Sequence, residues 1–314
     1  MENEIITINN PGEMQLVKET KLQEFFDKFF LFIDVKPKSV ETYKKALKQF
    51  LTYLSFNGIT QPTREDIIKF RDYLEPTHKA NTIRLYLTSI KLFFTFLEQQ
   101  GIYKNISEKV KAPKVLKGHK KDALTQSQAK EVLNALETET IQGKRNKAII
   151  ALMMTTGLRT IELERAKVED FRTVSGQSVL FIHGKGRDDK SEYVKITSEV
   201  EKLLRAYLNT RAKLKDTQPL FQSESNENKG QGISTRSIRK IVKNAFIKIG
   251  LNSNRITTHS LRHTAGTLAL KGGAKLEEVK QMLRHSNINT TLIYLHNLER
   301  INNQSENIVS NLLF

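Results

Sequence analysis

Cysteine is absent from this 314-residue chain, which excludes disulfide frameworks, thiolate zinc sites and cysteine nucleophiles and permits a reducing compartment. Long apolar runs are absent as well: nowhere do about 18 uninterrupted apolar residues occur, the length a helix needs to cross a bilayer. The first residues, MENEIITINN, are acidic where a secretory signal is basic, so a soluble cytoplasmic protein with no membrane partner is expected. There is no phosphate-cradling GxxxxGK[ST] loop and no compelling acidic metal site, so no cofactor, nucleotide or metal is expected. No internal repeat period is visible, which sets repeat architectures aside.

Acidic side chains are in short supply. Against 34 Asp plus Glu stand 51 Lys plus Arg, a net charge of +17 with a pI near 9.8, and such a surface attracts a polyanion. Nucleic acid is the leading partner. At 38% hydrophobic over this length, the chain exceeds what one core usually organises, and two domains are expected.

Residues 1–17 show no sustained period and contain the turn signature Asn9-Asn10-Pro11-Gly12, which reads as a flexible arm. Apolar residues then recur at three- and four-residue spacing over 21–33, 39–56, 64–74 and 81–100, predicting four helices in a domain spanning 18–108. Ser39, Thr63 and Asn81 are the expected caps, and Gly58 and Gly101 follow two helix ends. Residues 109–122, with six lysines from Lys109 to Lys121 and the breakers Pro113 and Gly118, form a basic linker, either a solvated hinge or a phosphate-contacting strap.

Beyond it, a second domain over 123–300 has helical spacing at 125–136, capped by Thr125 or Ser127, and at 144–156, ended by Gly157. The β-branched and aromatic runs 178–183 and 191–196 predict a hairpin with a third strand near Phe171, and 223–232 is a polar loop. Helices are predicted again at 199–214, 235–248, 259–270, 275–283 and 290–295, then a tail helix over 301–314. The fold class is therefore mostly α with a small antiparallel β-sheet, in two domains.

Four segments of the second domain combine residues unusual enough to carry chemistry: TTGLRTIEL (155–163), HGKG (183–186), HSLRH (259–263) and LRHSNINTTLIYLH (283–296). Arg159, Lys185, His259, Arg262, His285 and Tyr294 supply two guanidiniums, an ammonium, two imidazoles and a phenol, a set suited to phosphoryl transfer onto a protein hydroxyl. A phosphate attacked by a fifth oxygen crowds charge on its nonbridging oxygens, and two arginine forks, Arg159 and Arg262, stabilise them without a metal. A free phenol has a pKa of about 10, so Tyr294 needs neighbouring cations and a proton acceptor, for which His259 serves as acceptor or relay. His285 is placed to bond the phosphate or orient the clamp. The leaving hydroxyl needs a general acid, and Lys185 at a glycine-flanked hairpin tip can reach it. A phosphotyrosine keeps the energy of the broken diester, so a second hydroxyl can reseal the strand without ATP.

Together these motifs resemble the tyrosine recombinase (phage integrase) family, over nearly the whole chain from about Lys21. TGLRTIEL is similar to its first arginine box, HGKG to its hairpin lysine and HSLRH to its His-x-x-Arg box; His285 stands 23 positions after Arg262, and Tyr294 nine after that. The resemblance implies a helical, SAM-like core-binding domain and an α+β catalytic domain that clamp double-stranded DNA. It further implies a 3′-phosphotyrosyl intermediate, four protomers on two synapsed sites, and a C-terminal tail docking into a neighbouring protomer, with docking onto its own domain as the alternative. A mobile-element integrase or a Xer-like resolvase fits; a type IB topoisomerase-like enzyme and a non-catalytic DNA-binding regulator are the rivals. The compact length counts against the first and the intact residue set against the second.

Two departures stand out. Leu283-Arg284-His285 replaces the usual Leu-Gly-His, which alters backbone freedom, and Asp188 and Asp189 follow the hairpin lysine, leaving Lys190 as a weak competitor for its role. Glu162 is read as a structural partner of Arg159. His263, four residues after His259, invites a zinc reading, but Ser260 stands where HExxH has glutamate.

Overall fold

The structure, a computed structural model, describes residues 5–10, 13–17, 19–114, 122–183 and 192–314. The chain separates into two compact units, Met1–Lys117 and Gly118–Phe314.

In the first unit the N-terminal segment, read from the sequence as a flexible arm without a sustained period, contains two strands. β1 (Ile5–Asn10) and β2 (Glu13–Val17) pair antiparallel, with Ile5 opposite Val17 and Asn10 opposite Glu13. The β-branched run Ile5-Ile6-Thr7-Ile8 favours extended backbone, and a second strand just across Pro11-Gly12 supplies the hydrogen-bond partners that a lone strand lacks. Four helices follow: α1 (Glu19–Phe32), α2 (Pro37–Phe56), α3 (Arg64–Leu74) and α4 (Ala80–Gln99). Their apolar stripes meet in an aromatic core where Phe29, Phe50, Phe70 and Phe94 are fully buried, Phe50 edge-on to Phe70 at 5.1 Å.

Thr63 stands at the N-cap position of α3 as expected, but its side chain accepts no helix N–H; instead its N–H and hydroxyl both donate to Asp66 Oδ2 (2.8 and 2.7 Å). Ser39 and Asn81 do not cap. Pro37, with its φ already helical, opens α2 earlier, and α4 begins at Ala80 after Lys79. Part of the expected linker is packed: Val110 is buried and Arg71 donates to the Lys111 carbonyl, while Asp122 is held in the second unit by a two-pronged ion pair with Arg255. Residues 115–121 lie outside the described residues.

The second unit runs α5 (Gln126–Asn134), α6 (Ile141–Thr156), α7 (Thr160–Arg165), β3 (Phe171–Val174), β4 (Gln177–Ile182), β5 (Glu192–Lys195), α8 (Ser198–Leu208), α9 (Thr235–Lys248), α10 (Thr258–Lys271), α11 (Leu276–Leu283), α12 (Asn289–Asn302) and α13 (Ser305–Leu313). The three strands form an antiparallel sheet in sequence order, including the third strand expected near Phe171. Helix α6 is the axle, with Ala148–Met154 buried on every face, so it shows no amphipathic stripe. Thr125 and Gln128 form a capping box at α5. α8 stops at Leu208, short of the expected 214, because Thr210 folds its hydroxyl back onto the Tyr207 carbonyl (2.6 Å). α7 was not expected; six residues are too few to show a period.

Gly157 ends α6 in the left-handed region (φ 63°), and a Cβ there would meet Leu283 Cδ2 at 2.3 Å, whereas Gly58 (φ 63°) ends α2 facing open space. Both would pay the backbone cost of alanine, about 1 kcal/mol, but only Gly157→Ala also overpacks, by about 1–3 kcal/mol more. Thermal and denaturant unfolding should therefore show a clearly larger loss for Gly157→Ala than for Gly58→Ala; equal losses would mean that the Leu283 contact relaxes freely.

Candidate active site

The chemistry-bearing residues of the second unit converge because three helix ends meet. Arg159 is the residue before α7; its backbone N–H donates to Glu162 Oε2 (2.8 Å) and its guanidinium to Glu162 Oε1 (2.7 Å). Arg262, buried on α10, donates to the carbonyls of Gly157 and Leu283, which terminate α6 and α11. Carbonyls at helix C-termini lack intrahelical partners and carry the negative end of the dipole, so one cation satisfies both and fixes the two ends together. Arg284, just past α11, donates to Glu162 Oε2 (2.9 Å) and to the Met282 carbonyl (2.7 Å).

Tyr294 lies on α12, 3% exposed, its ring against Gly266 of α10, where a Cβ would sit 3.4 Å from the ring. Its hydroxyl is 2.8 Å from His263 Nδ1. The His285 ring is nearly parallel to the phenol (10°) at 6.2 Å, and its Nδ1 lies 2.9 Å from the buried Thr291 hydroxyl. His259 is exposed on the first turn of α10, four residues before His263 and so on the same face. A buried phenol beside an imidazole, within the field of two guanidiniums, is equipped to be deprotonated towards a bound anion.

Residues 122–300 match the Phage integrase family, and residues 22–101 match Phage integrase, N-terminal SAM-like domain. Tyrosine recombinase XerC of Lactobacillus delbrueckii subsp. bulgaricus is 33% identical over 270 residues, covering 83% of this chain and 88% of that protein. The chain belongs to the phage integrase family of tyrosine recombinases. Tyrosine recombinase XerD of Listeria monocytogenes is 28% identical over 277 residues, covering 85% of this chain and 91% of its own. In fold, the recombinase is similar to XerH bound to palindromic difH substrate in a post-cleavage complex (TM-score 0.68, 22% identity, 90% of this chain and 83% of that one). It is also similar to a lambda integrase dimer bound to a COC′ core site (TM-score 0.69, 16% identity, 93% and 78%). It is a site-specific recombinase, an enzyme that cleaves and rejoins DNA.

Of the residues singled out in the sequence, Arg159, Arg262, His285 and Tyr294 lie together in the recombinase; Lys185, with Gly184, Gly186, Asp188, Asp189 and Lys190, falls outside the described residues. Two residues emerge that the motifs did not mark as functional. His263 carried only the discarded zinc reading, and no group of metal-holding side chains occurs among the described residues. Arg284 was visible as a departure at a glycine position, a signal for a special backbone but not for a side chain in the site.

Electrostatics sort these groups. Burial, then the cations Arg159 and Arg284, lowers the Arg262 pKa to about 9, which still leaves the guanidinium protonated at pH 7. Burial raises the Tyr294 phenol above its ordinary value while Arg262 and Arg159 pull it down, so without DNA it keeps its proton. Burial, then Arg262, Arg159, Arg284 and His263, lowers the His285 pKa to about 4. His285 is therefore neutral near pH 7. Above about pH 6.5 the imidazole is neutral in both folded and unfolded chains. As the pH falls from there towards 4, the unfolded chain takes up the proton and the folded one does not, so stability is lost across that window. Thermal midpoints measured from pH 7 to 4 should fall less steeply for His285→Asn than for the wild type; parallel slopes would refute the buried neutral imidazole.

Proposed function

We propose that Tyr294 breaks and remakes the DNA strand through a 3′-phosphotyrosyl bond, with Arg159 and Arg262 clamping the scissile phosphate. The observation that carries this reading is the pairing of the buried Tyr294 hydroxyl with His263 Nδ1 at 2.8 Å, inside the field of both arginines. The phenol oxygen attacks phosphorus, and its proton passes to His263 Nδ1, which accepts in the tautomer that carries hydrogen on Nε2. His259, one helical turn away and exposed, relays that proton towards solvent. The bond from phosphorus to the 5′ oxygen breaks, and Lys185 protonates the departing oxygen. Neutral His285 hydrogen-bonds the phosphate. A 5′ hydroxyl from a second strand then attacks the phosphotyrosine and returns the phenol, so no external energy source enters.

The guanidiniums supply the charge that a metal would otherwise supply, so cleavage should persist in EDTA. With a nicked suicide substrate carrying the cognate site, the wild type is expected to form a denaturation-resistant protein–DNA band, Tyr294→Phe none, and His263→Ala one that forms about 10²-fold more slowly. Wild-type binding without any such band would overturn the covalent reading. Full-rate His263→Ala would return the acceptor role to His259.

Four protomers assembling on two synapsed sites, in the cytoplasm and on mobile-element or chromosomal DNA, complete this reading. Its support is α13, where Ile308, Val309, Leu312 and Leu313 are all exposed, an apolar face that a neighbouring protomer can cover. A lambda integrase tetramer bound to a Holliday junction has a similar fold (TM-score 0.67, 16% identity). Deletion of residues 303–314 should leave covalent capture on a single site intact and abolish cooperative assembly in gel-shift titrations; unchanged cooperativity would assign α13 to its own subunit.

A further inference from the structure

We infer that Arg284 is a positioning residue of the phosphate clamp, holding Glu162 and through it the guanidinium of Arg159 in the orientation that receives the phosphate. The inference rests on the reading that Arg159 binds the scissile phosphate.

The backbone at position 284 shows why a side chain there needs a reason. Residue 284 sits in the left-handed region (φ 53°, ψ 51°), where a non-glycine residue is strained. The turn itself is required, since N–H groups of Arg284 and His285 close α11 on the Gln281 and Lys280 carbonyls and the Leu283 carbonyl is delivered to Arg262. Glycine would make that turn without strain. The arginine side chain is moreover only 6% exposed, and a buried guanidinium is tolerated only when paired.

The pairing divides one carboxylate. Glu162, 1% exposed, gives Oε1 to the Arg159 guanidinium and Oε2 to the Arg159 backbone N–H and to Arg284. Because Oε2 is occupied, Arg159 holds the carboxylate through a single prong and keeps its remaining N–H groups for another anion; its side chain is 30% exposed and reachable, whereas Arg284 is shielded. Without Arg284, Glu162 can turn both oxygens onto Arg159 in the bidentate fork that guanidinium and carboxylate prefer, which withdraws the clamp. Arg284 also adds to the positive charge beside Arg262.

The test uses the full chain in single-turnover cleavage of the nicked suicide substrate at saturating protein, with Arg284→Gly, Arg284→Lys, Glu162→Gln and the Arg284→Gly/Glu162→Gln double variant. Arg284→Gly should bind DNA and melt like the wild type yet cleave about 10- to 100-fold more slowly, the scale of a misplaced catalytic group. Arg284→Lys should restore part of the rate, and the double variant should be no slower than Glu162→Gln alone. Should Arg284→Gly fail to fold, Arg284→Asn, which tolerates the left-handed region, carries the same comparison. Cleavage by Arg284→Gly within about twofold of wild type, or fully multiplicative effects in the double variant, overturns the inference. Failure of the wild type itself to form the covalent product would instead sink the phosphotyrosyl reading.

Discussion

A carboxylate removed from water, Glu162, is the constraint around which the second unit's reactive face is organised. Its oxygens are taken by Arg159, three residues before it, and by Arg284, 122 residues after it. Arg284 could not be buried without it, and a buried charge whose partner is missing is among the more costly defects a fold can carry. Arg262 plays the complementary part with neutral partners, tying the carbonyl ends of α6 and α11. Arg159, Arg262 and Arg284 gather around Glu162, with Glu192 also acting on Arg284, and cations so grouped favour an anion beside them.

The same residues end helices and build the site, which is why small residues recur there. Gly157 lets α6 stop where Leu283 packs, and Gly266 lets α12 bring the Tyr294 ring against α10. A methyl group at either would push on Leu283, and through it on the carbonyl that Arg262 grips. Packing and the geometry of the candidate site are therefore not separable here. Closeness that buries the Tyr294 phenol also raises its pKa, against the pull of Arg262 and Arg159.

Much of the fold was legible because amphipathic helices announce themselves: the spacing over 64–74 and 235–248 coincides with α3 and α9, and the alternating runs around 180 and 194 with β4 and β5. What escaped had a local cause. α7 is shorter than two turns, β1 and β2 have no helical period, and α2 starts at a proline that overrides a serine cap two residues on. In the site, arginines, histidine and tyrosine were legible as residue types in an ordered spacing.

The sequence by itself determined the chemistry available: an excess of positive charge, no thiols, and a set of guanidinium, imidazole and phenol groups suited to phosphoryl transfer. Only the tertiary structure decided which imidazole faces the phenol, His263, and that Arg284 turns inward onto Glu162. Residue type fixes what a side chain can do, but proton acceptance and charge pairing act over about 3 Å. That distance is set by the meeting of α6, α7, α10, α11 and α12, and spacing along one chain does not contain it.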